Sequence, residues 1–288
     1  MEPDYIKLKP LKPVLTGYIR DSKHLLDKTT VPDEDTVHDI RVLMKKTRAM
    51  LKLAASQLDN EYFNRELHEF REVGRILRSW REIPVYRKIL RDLRKDHPAV
   101  FSQLQDNERF IYLLKKTELF QELSAENKEE KEKIDSILTK AGYRLRFQPM
   151  NKIDPHLLYK ELEQTYTNVK DLFLICRNNT KPKNLHEFRK KSKDFLNQLY
   201  IFRRLNPGVI KTLEKKLDNM TRNLGKFNDL AQLIKILDYR YSNSANQPAL
   251  DELIIIIHQR QDRYLAKVWP AAYKIFCPGQ KLVNVSGF

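Results

Sequence analysis

Two stretches of this chain carry the residue types and spacings from which a chemistry can be read. Val37–Leu58, VHDIRVLMKKTRAMLKLAASQL, and Leu185–Leu205, LHEFRKKSKDFLNQLYIFRRL, share the pattern H-x-x-R-x-x-x-K. His38 aligns with His186, Arg41 with Arg189 and Lys45 with Lys193, and the apolar pairs Ile40–Phe188 and Leu51–Leu199 keep the same register. Spacings of three and seven return to one face of a helix. At about 100° per residue, a helix brings His38, Arg41, Lys45, Arg48 and Lys52 within roughly 80° of arc. Ile40, Leu43, Met44, Thr47, Leu51 and Ala54 fall on the opposite side. The expectation is a helix with an apolar back and a cationic stripe roughly 21 Å long. A single cationic stripe is ordinarily a solvated face, but this one recurs, histidine included.

Charge dictates what such stripes can do. A cation every three or four residues suits a polymer of closely spaced anions. Arginine offers paired donors to phosphate oxygens and lysine a flexible point charge. Two stripes facing each other would enclose a polyanion in a groove whose low-dielectric walls focus the field. Affinity would then fall steeply with salt. An imidazole in such a groove either donates neutrally or becomes a cation beside phosphate, its ordinary pKa of about 6.5 rising. Binding is therefore expected to strengthen as pH falls from about 7.5 towards 6. The competing expectation is that His38 and His186 order the starts of their helices by hydrogen bonding to backbone or carboxylate. Arg75 and Arg222 likewise either reach the polyanion or pair with Glu82 and Asp229, and Lys190 joins the second set beside Arg189.

Composition narrows the class. The chain has 288 residues, 41% hydrophobic and 32% charged, with seven glycines. It is long enough for one large or two ordinary domains and apolar enough to fold. Its charged residues mix with leucine at helical spacing, which predicts an all-α protein. A formal charge of +16 points to a polyanionic partner, whether nucleic acid, anionic membrane or polyphosphate. Two cysteines, Cys176 and Cys277, argue against a disulfide framework or a zinc site, and Cys176 in DLFLICR is expected to pack as a small hydrophobe. MEPDYIKLKP lacks the apolar core of a secretory signal, and LIIII at 253–257 is too short to span a bilayer. The expected address is the cytoplasm, with polyphosphate granules as a candidate site within it, and no membrane partner.

Taken in order, the first helix is expected over 13–28, after Pro10 and Pro13. TTVPDEDT reads as a loop ending in an N-cap, Asp35 or Thr36. The striped helix then runs to about Leu58, and another from Glu61 to about Arg94 that Pro84 should kink or divide. Phe101–Leu123 reads as one further helix, and SAENKEEKEKID as a solvated helical run feeding Ile134–Ala141. Asp154–Pro155 supplies an N-cap and first-turn proline for a helix reaching about Cys176. The second striped helix, a helix over Val209–Leu237, a polar loop over Tyr239–Pro248 and a helix over Ala249–Phe276 complete the chain. With one gap, Val73 aligns with Met220, Arg75 with Arg222 and Leu77 with Leu224. Two units, 1–148 and 149–288, each of about four antiparallel helices, imply a duplicated bundle.

These residues resemble the conserved-histidine α-helical domain, or CHAD, family. Its halves each carry a motif like V-H-D-x-R-V-x-x-x-K/R-x-x-R and a later L-G-x-x-R/N-D-L-x-x-L. VHDIRVLMKKTR matches the first closely, LHEFRKKSK partially, and LGKFNDLAQL matches the second closely, over roughly residues 10–280. The resemblance implies two four-helix bundles related by a pseudo-twofold axis, a basic central groove or channel lined from both, and binding of inorganic polyphosphate. The chain departs from the pattern at Leu196, where an arginine is usual, at Asp194, at Glu82 in place of aspartate, and at Ile83–Pro84. The N-terminal stripe is accordingly expected to be the stronger one.

No catalytic constellation emerges. There is no glycine-rich phosphate loop, no H-E-x-x-H and no serine or cysteine with an evident base. Glu129 and Glu130 lie in the solvated run, and no acidic cluster that would hold Mg²⁺ adjoins the stripes. A non-catalytic binder needing no cofactor or metal is the favoured expectation. The alternatives are a nucleic-acid-binding helical protein, and a hydrolase or regulatory subunit acting on phosphoanhydrides. Phe188, Phe195 and Phe202 fall at core spacing, which leaves few aromatics to stack on bases.

Overall fold

A computed structural model describes residues 8–28, 32–105, 107–119, 128–237 and 247–288, and these form helices with no strand among them. The helices are α1 (Leu11–Asp27), α2 (Glu34–Leu53), α3 (Asn60–Asp96), α4 (Pro98–Gln103), α5 (Glu108–Leu119), α6 (Lys128–Phe147), α7 (Pro155–Asn178), α8 (Pro182–Phe202), α9 (Pro207–Leu237), α10 (Gln247–Phe276) and α11 (Leu282–Ser286).

Local chemistry explains most boundaries, including those that differ from expectation. The cap of α2 is Asp33, one position earlier than Glu34 and two before Asp35, because its carboxylate reaches the Thr36 amide at 2.7 Å. Glu34 and Asp35 then sit in the first turn, where the helix dipole favours them. α2 stops at Leu53, short of Leu58, and a single tighter turn, Ala55–Gln57, leads to Asp59, which caps α3 through the Tyr62 amide. Pro84 does not divide α3, whose helical backbone continues to Asp96. The helix expected over 101–123 is two. Asn107 Oδ1 accepts from the Phe110 amide at 3.1 Å and so caps a new start after the turn at Leu104. Asp154 and Pro155 begin α7 as expected. The stretch 120–127 and the loop at 238–246, with Glu82 and Pro84 as side chains, lie outside the described residues.

Packing joins α1 to α2 and α6, and α2 to α3, in the first half. In the second, α7 meets α8 and α10, and α8 and α10 both meet α9. The halves meet chiefly where α2 crosses α8. There, buried Gln198 donates to the Ala49 carbonyl at 3.1 Å, and Lys52 pairs with Asp194 at 2.5 Å. One large core runs through both halves, from Leu15, Ile40 and Met44 to Phe173, Phe188, Phe195, Phe202 and Phe276. Cys176 is fully buried in it, and burial pushes its thiol up to about 11. Arg144 of α6 grips Glu66 and Glu69 of α3, with Glu66 almost wholly buried. Truncating one partner of such a pair costs about 3–5 kcal/mol, because the other charge stays behind.

A second, smaller core holds the far ends of the long helices. Leu90 and Leu93 of α3 pack there with Phe101 and Leu104, Phe110 and Leu113, Leu233 and Leu237 of α9, and Leu250, Leu253 and Ile257 of α10. Each fully buried leucine contributes about 1.5–3 kcal/mol. α3 and α9 thus leave one core and are fastened again at another.

Candidate polyanion-binding cavity

Between those two fastenings lies a cavity of about 1190 Å³. One helix face each of α2, α8 and α9 forms most of its wall, with the 85–92 segment of α3, Arg260 and Tyr264 of α10, and Tyr18 of α1 completing it. Among the described residues, eleven lysines and arginines line it against five carboxylates. No described helix is long and apolar enough to cross a membrane. Among the described residues, no three His, Cys, Asp or Glu side chains gather as metal ligands would.

The first stripe does not act as one surface. His38 and Lys45 line the cavity. Arg41 lies outside the lining and donates from Nη1 to the Gly74 carbonyl of α3 at 2.7 Å. Arg48 turns back onto the Met44 carbonyl of its own helix. Burial pulls its guanidinium below the ordinary arginine value, while the Asp194 carboxylate opposes that shift. Lys52 serves the α2–α8 crossing through Asp194. Arg75 also lies outside the cavity, paired through two bonds of 2.8 and 2.7 Å with Glu72.

The second stripe faces inward more fully. Arg189, Lys193 and Arg222 all line the cavity. Arg189 donates from Nε to the Thr221 carbonyl at 3.3 Å. Its guanidinium lies over Gly225, where an added Cβ would come within 3.1 Å of Nε. Lys193 and Arg222 share Asp218, at 2.9 and 2.6 Å. Burial raises the Asp218 carboxyl, but the hydrogen bonds and charges of Lys193 and Arg222 outweigh it and hold the group below the usual aspartate value. His186 and Lys190 stand outside the lining. His186 Nδ1 is hydrogen bonded to Asn228 Oδ1 at 2.9 Å, and Lys190 pairs with Glu187.

Several lining cations were not singled out in the sequence. Lys211, Lys215 and Lys226 of α9 stand on the face of Arg222, with Lys46 of α2, Lys88 of α3 and Arg203, the residue after α8, around them. Their signal was present, since positions 211, 215, 222 and 226 fall within about 60° of helical arc. Arg203 is held by Glu214 at 2.7 Å and lies over Tyr200, whose ring also meets Lys9 at 3.5 Å. Burial, then the neighbouring Tyr200, pushes Tyr18 up to about 12, so it stays a neutral phenol. Of the peripheral cations, Arg260 lines the cavity and pairs with Asp96.

Fold and cavity together define an all-α protein with a cation-rich chamber between packed helices. The family model for the CHAD domain matches residues 21–238, and the chain belongs to that family. The matched span ends before α10, short of the limit of about 280 expected from the motifs. Among curated proteins, none matches the chain.

Proposed function

We propose that this protein binds inorganic polyphosphate in the cavity between α2, α8 and α9 and does not turn it over. The observation that carries the proposal is the excess of cations in one chamber, three of them uncommitted. Lys88, Lys211 and Lys215 are exposed and have no ion-pair or hydrogen-bond partner among the described residues. Water and counterions solvate them until a polyanion displaces both, which is the source of affinity for a phosphate polymer.

Membership of the CHAD family, a family associated with polyphosphate binding, supports this ligand over nucleic acid. So does the state of the aromatics. Phe188, Phe195 and Phe202 are fully buried, and the Tyr200 ring is already covered by Lys9 and Arg203. A single-stranded nucleic acid would want such rings bare for stacking.

Competition tests the ligand. Long-chain polyphosphate should displace a labelled oligonucleotide at far lower phosphate-equivalent concentration than the reverse, and equal or inverted potency would favour nucleic acid. Incubation with polyphosphate and Mg²⁺ or Mn²⁺ should release no phosphate above the buffer blank. Steady release that scales with protein would make it a hydrolase.

A further inference from the structure

The cavity contains anions of its own, and their positions are ordered. Asp218 offers one carboxylate oxygen to Lys193 of α8 and the other to Arg222 of its own helix. One turn earlier, about 6 Å along the axis, Glu214 holds Arg203, at the end of α8, with both oxygens. Each carboxylate therefore stands where an oxyanion bridging α8 and α9 would stand.

The first half treats the same helical position differently. In the alignment that pairs Arg75 with Arg222, the place of Asp218 is taken by Arg71. Arg75 instead pairs with Glu72, three residues back, and Glu72 also accepts from Lys133 of α6 at 2.8 Å. That arrangement lies outside the cavity. A resident carboxylate between two lining cations thus belongs to the α8–α9 wall.

We infer that Asp218, with Glu214 behind it, is a resident counter-anion of the polyphosphate site, holding Lys193, Arg222 and Arg203 on the wall until ligand phosphates take its place. This rests on the function proposed above and adds how the site is gated. An empty chamber crowded with like charges repels itself, and the carboxylates relieve that repulsion. The same carboxylates repel an arriving polyanion, which gains the paired cations only by exchanging its own oxyanions for theirs. A chain of adjacent phosphates can replace Asp218 and Glu214 together, whereas an isolated anion replaces one and still faces the other. Asp218 is accordingly a positioning residue that lowers affinity while it orders the cations.

The test compares polyphosphate of one defined length on the full chain, as wild type, Asp218→Asn, Glu214→Gln and Glu72→Gln, across a salt series. All three variants gain the same net charge, but only the first two change the cavity. Asp218→Asn and Glu214→Gln should each bind about twofold to fivefold tighter at low salt, because each removes a partly buried carboxylate whose ion pairs the ligand would otherwise have to break. Their affinity should also fall more steeply as salt rises, since freed cations condense counterions that the ligand releases. Glu72→Gln should match wild type. Should Asp218→Asn fail to fold, Glu214→Gln carries the test. If wild type binds and the cavity variants bind equally or more weakly, the inference is wrong while the ligand assignment stands. Equal tightening by Glu72→Gln would reduce the effect to overall charge and overturn it as well. Failure of wild type to bind polyphosphate would remove the assignment and the inference together.

Discussion

The two halves of the chain share one arginine-to-backbone contact and use another arginine in opposite ways. Arg41 donates to the carbonyl of Gly74 and Arg189 to that of Thr221. With the gap that pairs Arg75 with Arg222, Gly74 and Thr221 are equivalent positions, so both arginines tie the striped helix to the next helix at the same place. Arg75 and Arg222 then diverge. Glu72, three residues before Arg75, draws it out of the cavity, and Asp218, four before Arg222, keeps it on the lining. A motif position does not say where a long cation points. The carboxylate beside it does, because a guanidinium with a partner one turn away on its own helix settles against that partner.

The comparison is most sharply tested by charge reversal. Lys211→Glu/Lys215→Glu should weaken polyphosphate binding by about a hundredfold or more at low salt, since two released counterions become two repulsions. Arg71→Glu/Arg75→Glu makes the same change of charge outside the lining and should cost less than about threefold. Equal losses would break the assignment of the cavity.

The crossing of α2 and α8 comes next in size. Asp194→Ala should destabilise the protein by about 1–3 kcal/mol in urea unfolding, because Lys52 and half-buried Arg48 lose their counter-charge. A change within a few tenths would mean that water already neutralises both.

Glycine substitutions separate the halves more finely. Alanine at Gly74 meets nothing within 4 Å and should raise stability by up to about 1 kcal/mol through helix propensity. Alanine at Gly225 meets the Arg189 guanidinium, so it should gain less stability and weaken polyphosphate binding about twofold to fivefold. Identical behaviour of the two variants would remove Arg189 from the site.

The smallest effects concern protons. His38 lines the cavity and His186 is outside it, hydrogen bonded to Asn228. His38→Ala should weaken polyphosphate binding more than His186→Ala, and the reverse order would exchange their roles. Glu72, drawn down to about 2 by its hydrogen bonds with Arg75 and then Lys133, has a folded value below its ordinary 4.5. Its contribution to stability is present above about 4.5 and lost as pH falls towards about 2. Glu72→Gln should lack that part of the acid-induced loss. An unchanged acid profile would show that solvent screens the group fully.

Much of this was legible in the sequence. Helical spacing located the apolar backs, so Ile40, Met44, Thr47 and Leu51 are buried, as are Phe188, Phe195 and Phe202. Caps that rest on one side chain and one amide, such as Asp154, could be read directly. Of the cations, the H-x-x-R-x-x-x-K repeat identified four that line the cavity, Lys45, Arg189, Lys193 and, from the later alignment, Arg222, together with His38. It did not distinguish them from Arg41, Arg48 and Lys52, because periodicity gives the angle around a helix and not what that angle faces. Lys52 points to Asp194, which as sequence alone was only a departure from the motif. The expectation of a stronger N-terminal stripe rested on departures from the family motif and left out α9, whose lysines form part of the wall between the two cores that hold α3 and α9. That fastening depends on contacts between segments far apart in the chain, which spacing within a segment does not encode.

The central claim is tested most directly by titrating polyphosphate of defined length into wild type and Lys45→Ala/Lys211→Ala/Lys215→Ala, at several salt concentrations. The account predicts tight binding by wild type that weakens steeply with salt, and in the variant a large loss of affinity with a shallower salt dependence. Wild-type affinity and salt dependence in the variant would contradict it, placing any polyphosphate bound elsewhere than in the chamber between α2, α8 and α9.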